Sequence, residues 1–402
     1  MRIISISFMA MGAGLFGNLF LMSLPTIAKT FDDSAPSYIS LVNNPITKTN
    51  DTELPSWALG PFVRPDVGNP ILSPDSTTIF YDPMRQERVA WEANDVFNPA
   101  AVLHNNKIVV LYRAEDKSGV GIGGRTSRIG FATSKNGVTM KRRKAPVLFP
   151  TTDDQKEFEW DGGCEDPRVA QTEDGKFIML YTQWNKKVPR LAVAHSTNLK
   201  NWTKYGPVFR LAHAGKFFND ASKSASIVTK IVNGKLQITK INGKYFMYWG
   251  EAHVYGATST DLINWEPLLD EKGALKQLMS PRAGFFDSQL TECGPPALLT
   301  DKGILLLYNG KNLPATNANR STKYTADSYC AGQALFDAKD PTKFIARLND
   351  PYLKPEASFE KSGQYPAGTV FTEGLVFFKN KWFLYYGCAD SRVAVAIYEP
   401  KR

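Results

Sequence analysis

A ten-residue stretch in the middle of the chain, residues 160–169, combines three carboxylates, a guanidinium, two glycines and a proline between apolar flanks. Its central acids are Glu165 and Asp166, and Arg168 follows them. The apolar run at 177–181 predicts a strand, so we expect these acids on a loop that a rigid sheet holds at one rim. Neighbouring carboxyl groups in such a loop suit general acid and base chemistry.

The elements that must position these acids are short strands. From Asn98 onward, apolar strands alternate with turn residues, and hardly any run has the helical period of 3.6 residues. A Tyr-rich strand followed by a strand of small and apolar residues recurs five times. The Tyr-rich strands are 108–113, 177–182, 245–250, 304–309 and 382–387. Five repeats predict an all-β, five-bladed β-propeller, since a β-sandwich would not repeat one signature five times.

The N-terminal residues resemble an export signal. An arginine precedes an uncharged apolar run at 3–24, and small residues around Ala28 suit a signal peptidase. We expect a signal peptide at 1–28, a secreted, periplasmic protein, and no stable membrane insertion after cleavage. A membrane anchor is the alternative, because the run approaches the ~20 residues that span a bilayer.

Residues 29–90 lack the repeated strand pair and are rich in Pro, Ser, Asn and Asp. We expect them to form an extended N-terminal arm that packs across the propeller or helps to close it. Residues 91–402 then form the catalytic propeller domain.

Composition argues against several classes of partner and cofactor. The net charge of +9 does not indicate a nucleic-acid partner, because the basic residues are scattered and the one cluster, 141–144, is expected to be a solvated loop. The four histidines are isolated, so no metal site is predicted. No Gly-rich phosphate loop indicates a nucleotide cofactor, and no Gly-x-Ser-x-Gly elbow indicates a serine nucleophile. Four cysteines in an exported chain allow up to two disulfides, in any of three pairings.

In a propeller, residues near the start of each blade's first strand converge on a central cavity. Polar residues occupy or flank these positions in all five predicted blades. The candidates for substrate binding or catalysis are Asn98, Arg113, Asp166, Arg168, Glu251, His253, Glu292, Asn309 and Asp390. Carboxylates from several blades around one pocket are the composition of a sugar-cleaving site.

Glycoside cleavage needs one carboxyl group that protonates the leaving oxygen and a second group that delivers the nucleophile. Asp166 is the predicted acid. Glu165 would raise its pKa by repulsion and Arg168 would lower it, and the sequence leaves the sum open. A structural ion pair between Asp166 and Arg168 is the alternative. Glu251 and Glu292 are the candidate bases, although a solitary glutamate after a strand is usually only solvated.

Six motifs together resemble glycoside hydrolase family 130, the mannoside phosphorylases and mannosidases. They are Asn98-Pro99, Tyr112-Arg113-Ala114, residues 129–134, Glu165-Asp166-Pro167-Arg168, Gly294-Pro295-Pro296 and residues 386–390. The resemblance runs from about Asn98 to the C-terminus. It implies a five-bladed propeller in which Asp166 is similar to the catalytic acid, and in which Asn98, Arg113, Arg168 and Asp390 hold the mannose that is cleaved.

The resemblance departs from the phosphorylases at the positions that bind phosphate. The phosphorylases typically have an Arg after the third-blade strand, a Lys before blade four and a His at the end of the fourth-blade strand. This chain has Glu251, Glu292 and Asn309 there. Because two carboxylates would repel a phosphate dianion, the chain is more similar to the hydrolase branch of β-1,2-mannosidases.

We therefore expect an exported β-mannosidase, β-1,2-specific and inverting, that acts on manno-oligosaccharides without a cofactor. In this mechanism Asp166 protonates the leaving oxygen, and Glu251 or Glu292 activates water. A phosphorylase that releases mannose 1-phosphate and a non-catalytic glycan-binding propeller are the alternatives.

Overall fold

The computed structural model describes residues 54–400, and the predicted signal peptide and residues 29–53 of the predicted arm lie outside this range. Nearly all regular structure in the described residues is β, which confirms the all-β prediction. Helices are limited there to one short α-helix, α1, and two 3-10 helices: Lys156–Glu159, then Ala212–Gly215 and Ser358–Glu360. The described part of the chain has no helix long and apolar enough to cross a membrane.

The strands of residues 54–400 form one hairpin and then five successive antiparallel groups. The hairpin pairs β1, Phe80–Asp82, with β2, Glu87–Val89. Group one contains β3 Asp95–His104, β4 Lys107–Glu115, β5 Ser127–Ser134 and β6 Lys141–Arg142. Group two contains β7 Gly163–Gln171, β8 Phe177–Trp184, β9 Pro189–Ser196 and β10 Thr203–Pro207.

The third group has more and shorter strands than the others. It contains β11 Ala225–Val232, β12 Lys235–Ile238, β13 Lys240–Ile241, β14 Lys244–Trp249, β15 Val254–Ser259, β16 Glu266–Pro267 and β17 Gln277–Met279. Group four contains β18 Leu290–Cys293, β19 Ala297–Leu299, β20 Ile304–Lys311, β21 Tyr329–Phe336 and β22 Phe344–Arg347. Group five contains β23 Val370–Phe378, β24 Lys381–Cys388 and β25 Arg392–Tyr398.

The repeated strand pair of the sequence appears in all five groups, with each Tyr-rich strand paired to the small-residue strand that follows it. The register explains the small residues. Tyr112 lies opposite Gly130, and Tyr308 lies opposite Gly332. A Cβ atom on Gly130 would lie 2.3 Å from the Tyr112 ring, and one on Gly332 would lie 2.4 Å from the Tyr308 ring. The small residue therefore leaves the space into which the tyrosine ring packs.

In four of the groups, the buried tyrosine of the Tyr-rich strand donates its hydroxyl hydrogen to a buried acid that precedes the first strand of the same group. A basic side chain contacts the same acid, so the carboxylate is not left unpaired in the core. The sets are Tyr112, Glu92 and Arg142; Tyr181, Glu159 and Lys204; Tyr308, Asp287 and Arg282; and Tyr386, Glu360 and Arg64. In the third group, the Tyr248 hydroxyl donates to the Pro341 carbonyl at 2.9 Å instead.

The described part of the predicted arm runs along β25. The backbone N–H of Val63 donates to the Ile397 carbonyl at 2.9 Å, and the reverse bond measures 2.8 Å. The Asn69 amide donates to the Val395 carbonyl at 2.8 Å. These bonds satisfy backbone groups that would otherwise be exposed at the edge of group five.

The four cysteines are all buried and unpaired in the described residues. The disulfides that the sequence allowed are therefore not formed in this structure.

Replacing Tyr181 by Phe tests the buried tyrosine-acid contacts. The change removes the 2.8 Å hydrogen bond to Glu159, and we expect a loss of about 2 kcal/mol in the free energy of unfolding, since this bond is made to a buried carboxylate. Urea unfolding of the variant measures this loss. Tyr205→Phe, at an exposed position, is the matched control and should stay within about 0.5 kcal/mol of the wild type. Equal midpoints for the two variants would contradict the proposed contribution of this contact.

Candidate active site

β-Bulges in the first strands of three groups direct polar side chains out of the ladder. The registers of β3, β7 and β23 each shift once, and the residues left outside the ladder are Asn98, Asp166 with Pro167, and Glu373. Asn98 and Asp166 have positive φ angles of 45° and 48°. A bulge turns its side chain away from the regular alternation, and a following proline has no N–H to leave unpaired. As a result, the Asn98 amide donates to Asp166 Oδ1 at 2.8 Å.

Arg113, on β4, is surrounded by three carboxylates. Its Nη2 lies 2.6 Å from Glu115 Oε1 and 2.8 Å from Glu165 Oε1, and its Nη1 lies 3.2 Å from Asp166 Oδ1. All four side chains are buried. One guanidinium cannot neutralise three carboxylates, so the cluster favours retention of a proton.

The pKa shifts indicate where that proton lies. Burial raises the pKa of Glu165 to about 7, with the Arg113 charge opposing and the Asp166 charge adding to the shift. Burial also acts to raise the pKa of Asp166, but Arg113, Lys223 and other donors outweigh it and hold that pKa at about 2. Asp390 resembles Glu165, because burial raises its pKa to about 7 against the Arg113 charge. Near neutral pH, Asp166 therefore carries a negative charge, whereas Glu165 and Asp390 are each only partly ionised.

Arg168 does not form the structural ion pair with the Asp166 carboxylate that the sequence left open. Its Nη1 lies 2.9 Å from Glu373 Oε1 and donates to the Asp166 backbone carbonyl at 3.0 Å. Its Nη2 donates to the Cys293 carbonyl at 2.9 Å, and its Nε donates to the Gly294 carbonyl at 3.4 Å. The Arg168 side chain is only 1% exposed, so it stabilises the backbone around the site and has little surface left for a ligand.

Two other predicted sugar-binding residues are engaged by protein groups. Asn309 is fully buried, and its amide oxygen accepts hydrogen bonds from the Thr372 backbone N–H at 2.7 Å and from the Thr372 hydroxyl at 2.9 Å. Its amide nitrogen donates to the Thr372 carbonyl at 3.1 Å, which ties β20 to β23. His253 is half-buried, with Nδ1 3.0 Å from the Ser280 hydroxyl and its ring against Tyr255.

A second charged cluster joins the two candidate bases through Lys223. Lys223 Nζ lies 3.4 Å from Oε1 of Glu251 and 3.4 Å from Oε1 of Glu292. The Glu251 side chain is 48% exposed, whereas that of Glu292 is only 2% exposed. The Ser224 hydroxyl also donates to Glu292 Oε1. Burial raises the pKa of Glu292, Lys223 opposes that shift and Glu251 adds to it.

Several residues of the site were not assigned a role from the sequence. Lys223 is the most important, because it places a cation where the sequence pattern indicated only acids. Arg125 had no assigned role, and Gln364 was missed: Arg125 Nη1 donates to Gln364 Oε1 at 2.5 Å, and Gln364 Nε2 donates to the Asp390 backbone carbonyl at 3.0 Å. The position of Lys223 just before β11 was the available signal, but its partners lie 28 and 69 residues away in the sequence.

An aromatic pair beside Glu292 was missed as well. Tyr329 packs edge-on against Tyr365 with ring centroids 5.4 Å apart, and Lys311 Nζ lies 5.4 Å and 5.1 Å from the two centroids. The charges of Glu292 and Lys223 both influence the pKa of Tyr329, which burial raises well above its usual value. In contrast, Tyr112, Tyr248, Tyr308 and Tyr386 of the repeated strands are fully buried core residues.

An all-β scaffold with clustered carboxylates around buried guanidinium groups is typical of carbohydrate-active enzymes, and comparison with known proteins identifies the family. A family model described as beta-1,4-mannooligosaccharide phosphorylase, glycoside hydrolase family 130, matches residues 69–401. A 1,2-beta-oligomannan phosphorylase of Thermoanaerobacter sp. (strain X514) is 33% identical over 316 residues, which cover 77% of this chain and 92% of that protein. This chain belongs to glycoside hydrolase family 130, a family of enzymes that act on β-mannosides.

Two solved structures have a higher sequence identity to this chain than that phosphorylase has. A glycosyl hydrolase from Bacteroides ovatus is 63% identical, with 87% of this chain and 97% of that chain covered and a TM-score of 0.84. A structure described with the words "the GH130 family of mannoside phosphorylases contains glycoside hydrolases that target beta-1,2 mannosidic linkages in Candida mannan" is 62% identical, with 87% and 97% covered and a TM-score of 0.85. The family therefore contains both reaction types.

The raised pKa of Glu165 predicts how stability depends on pH. Between the ordinary glutamate pKa of 4.5 and about 7, the folded state holds a proton that the unfolded state has released. This stabilisation is fully present below pH 4.5 and is lost as pH rises through about 7. Glu165→Gln keeps the shape of the protonated side chain but cannot ionise, so its melting temperature should fall less between pH 5 and pH 8 than that of the wild type.

The control for this measurement is Glu173→Gln, which removes an exposed glutamate. Its melting temperature should follow the wild-type pH profile. Parallel profiles for Glu165→Gln and the wild type would show that Glu165 does not hold the proton.

Proposed function

We propose that this protein is an exported β-mannosidase that hydrolyses β-1,2-linked manno-oligosaccharides with inversion. The five strand groups are the blades of a five-bladed propeller, and the two charged clusters lie in its central cavity. The observation that carries the proposal is the pair of glutamates around Lys223, at positions where the phosphorylases have phosphate-binding cations. The similarity to a structure described in terms of hydrolases for β-1,2 linkages supports the same branch.

Localisation follows from the sequence alone. The signal peptide at 1–28 directs the chain to the periplasm and is removed there, which leaves a secreted enzyme without stable membrane insertion. Its partner is the mannose-containing oligosaccharide, with no nucleic acid involved. Export favours hydrolysis, because a sugar phosphate made outside the cytoplasm is poorly retained.

Asp166 is the acid in this mechanism. In the sugar-free site it is ionised, so it must gain a proton before it can donate one to the leaving oxygen. Burial is already the largest single influence on its pKa, and a bound sugar that displaces water from the cavity adds to it. Protons are held close by, on Glu165 and Asp390. Substrate binding thus raises the pKa of Asp166, so that a proton of the Arg113 cluster can move to it.

Glu292 is the better of the two candidate bases. Ser224 and Lys223 both contact its Oε1, which fixes the carboxylate and leaves Oε2 free to accept a proton from water. Its raised pKa makes it a stronger base than an exposed glutamate. Glu251 lies on the other side of Lys223, where its main contact is with the ammonium group. An inverting mechanism requires about 6.5 to 9.5 Å between acid and base, which is room for one water.

The main alternative is a phosphorylase that releases mannose 1-phosphate. The 33% identity to a 1,2-beta-oligomannan phosphorylase favours it, and Lys223 is a cation at the relevant wall. Incubation with β-1,2-mannobiose, with and without phosphate, separates the two. We expect the release of two mannoses at the same rate in both, with α-mannose as the first anomer formed from the non-reducing end in proton NMR. Turnover that requires phosphate would reject hydrolysis, and a β-anomer would reject inversion.

Asp166→Asn should lower kcat by about 10²- to 10⁴-fold, because the amide cannot donate the proton. Asp161→Asn, in the same segment but paired with Lys186 at the surface, should retain near-wild-type kcat. A steady-state assay on mannobiose measures both variants. If the wild type binds mannobiose in calorimetry but releases no mannose, the protein is a glycan-binding propeller and not an enzyme.

The choice of base predicts unequal effects at the two glutamates. Glu292→Gln should lower kcat by about 10²- to 10⁴-fold, whereas Glu251→Gln should lower it by about tenfold or less. Thermal unfolding of both variants separates a loss of chemistry from a loss of folding. A larger loss of kcat in Glu251→Gln would assign the base to Glu251 instead.

A further inference from the structure

We propose that Lys223 is a positioning residue for the base, and that the two glutamates around it prevent the ammonium group from binding phosphate. This inference rests on the hydrolase activity proposed above and extends it to the choice of nucleophile. Lys223 would thereby keep Glu292 oriented for water, while the two glutamates neutralise the Lys223 charge.

Backbone contacts hold the three side chains in one arrangement. The Gly250 N–H donates to the Lys223 carbonyl at 3.1 Å, and the Cys293 N–H donates to the Gly250 carbonyl at 3.2 Å. Gly250 precedes Glu251, and Cys293 follows Glu292, so a single glycine joins the backbone next to all three charged residues.

Only glycine fits at this junction. Gly250 has φ +119°, and a Cβ atom there would lie 2.2 Å from the His253 carbonyl oxygen. Ser224, directly after Lys223, has φ +56° and places its hydroxyl on Glu292 Oε1. The local backbone is therefore shaped to bring Lys223 and Glu292 together.

The charges in this cluster disfavour an anion. One ammonium group faces two carboxylates, which leaves a net charge of −1 if all three groups are ionised. The ammonium group donates a hydrogen bond to Glu251 and lies 3.4 Å from Glu292 Oε1, so both carboxylates already contact it. A phosphate dianion would have to compete with both carboxylates for Lys223, whereas a neutral water molecule meets no repulsion.

Lys223 also influences the pH range in which the site can work. The charged and titratable groups with which it interacts are Glu251, Glu292, Asp166, Tyr329, Glu165, Glu373 and Asp390. The Arg168 charge also acts on Glu292. Lys223 lowers the pKa of Glu292 and that of Asp166. Removal of its charge therefore raises both values: the base ionises at higher pH, and the acid keeps its proton to higher pH. The whole pH-rate profile should move upward.

The first experiment compares Lys223→Met with Lys223→Arg, and uses Lys323→Met, an exposed lysine paired with Asp350, as the control. We expect Lys223→Met to lower kcat at least tenfold, with both limbs of its profile at higher pH. Lys223→Arg should restore the wild-type limbs, and Lys323→Met should match the wild type. If Lys223→Met shows wild-type limbs, or if Lys223→Arg shows the same displaced limbs as Lys223→Met, Lys223 does not position the base through its charge.

The second experiment measures phosphate binding directly by isothermal titration calorimetry and needs no turnover. The double variant Glu251→Gln, Glu292→Gln leaves Lys223 without its two carboxylates and should bind phosphate at least tenfold more tightly than the wild type. Adding Lys223→Met to this double variant should abolish the gain. Equal phosphate affinity in the double variant and the wild type, or a gain that survives loss of Lys223, overturns the inference.

These outcomes are distinct from failure of the proposed function. A phosphorylase would show phosphate-dependent turnover and phosphate binding in the wild type itself. If the inference on Lys223 is wrong, the Lys223 and glutamate variants give the contrary results named above, but the wild type still hydrolyses mannobiose without phosphate.

Discussion

The position of the candidate acid relative to the candidate base depends on the buried guanidinium of Arg168. Its Nη1 lies 2.9 Å from Glu373 Oε1, and both side chains are shielded from water, so loss of either one would leave the other buried without this partner. The same guanidinium donates to the backbone carbonyls of Asp166 and Cys293, and Cys293 adjoins Glu292. One rigid, planar group therefore fixes the backbone beside both the acid and the base.

Around this fixed centre, the site has fewer cations than acids on both sides, and the consequences differ with burial. The carboxylates around Arg113 are all buried, so their excess negative charge is relieved by partial protonation of Glu165 and Asp390 near neutral pH. Around Lys223, Glu251 is half exposed and water can stabilise its charge. The first cluster thus retains protons close to the candidate acid, whereas in the second Lys223 opposes the effect of burial on the candidate base.

The sequence predicted what depends on local pattern and missed what depends on distant contacts. The five strand pairs follow from alternation and from small residues such as Gly130 opposite Tyr112, which are visible in a single repeat. Asp166 was found from the density of charge in residues 160–169, and Asn98 from its place at the start of a predicted blade. The packing of Arg168 and Asn309 into the walls could not be predicted, since their partners, such as Cys293 and Thr372, lie 125 and 63 residues away. Five blades, the export signal and the arm remain predictions.

Comparison with the phosphorylases raises the question of whether Lys223 can bind phosphate. The sequence pattern lacks the basic residues expected for phosphate binding, yet Lys223 supplies a cation between Glu251 and Glu292. The affinity of Lys223 for an anion depends on whether its charge is already neutralised, and two carboxylates with oxygens 3.4 Å from its Nζ neutralise it. Because Coulomb interactions are strong at short range in a partly dry cavity, the acids beside a cation matter as much as the cation itself. On one shared fold, the choice between water and phosphate can therefore depend on which side chains neutralise a lysine.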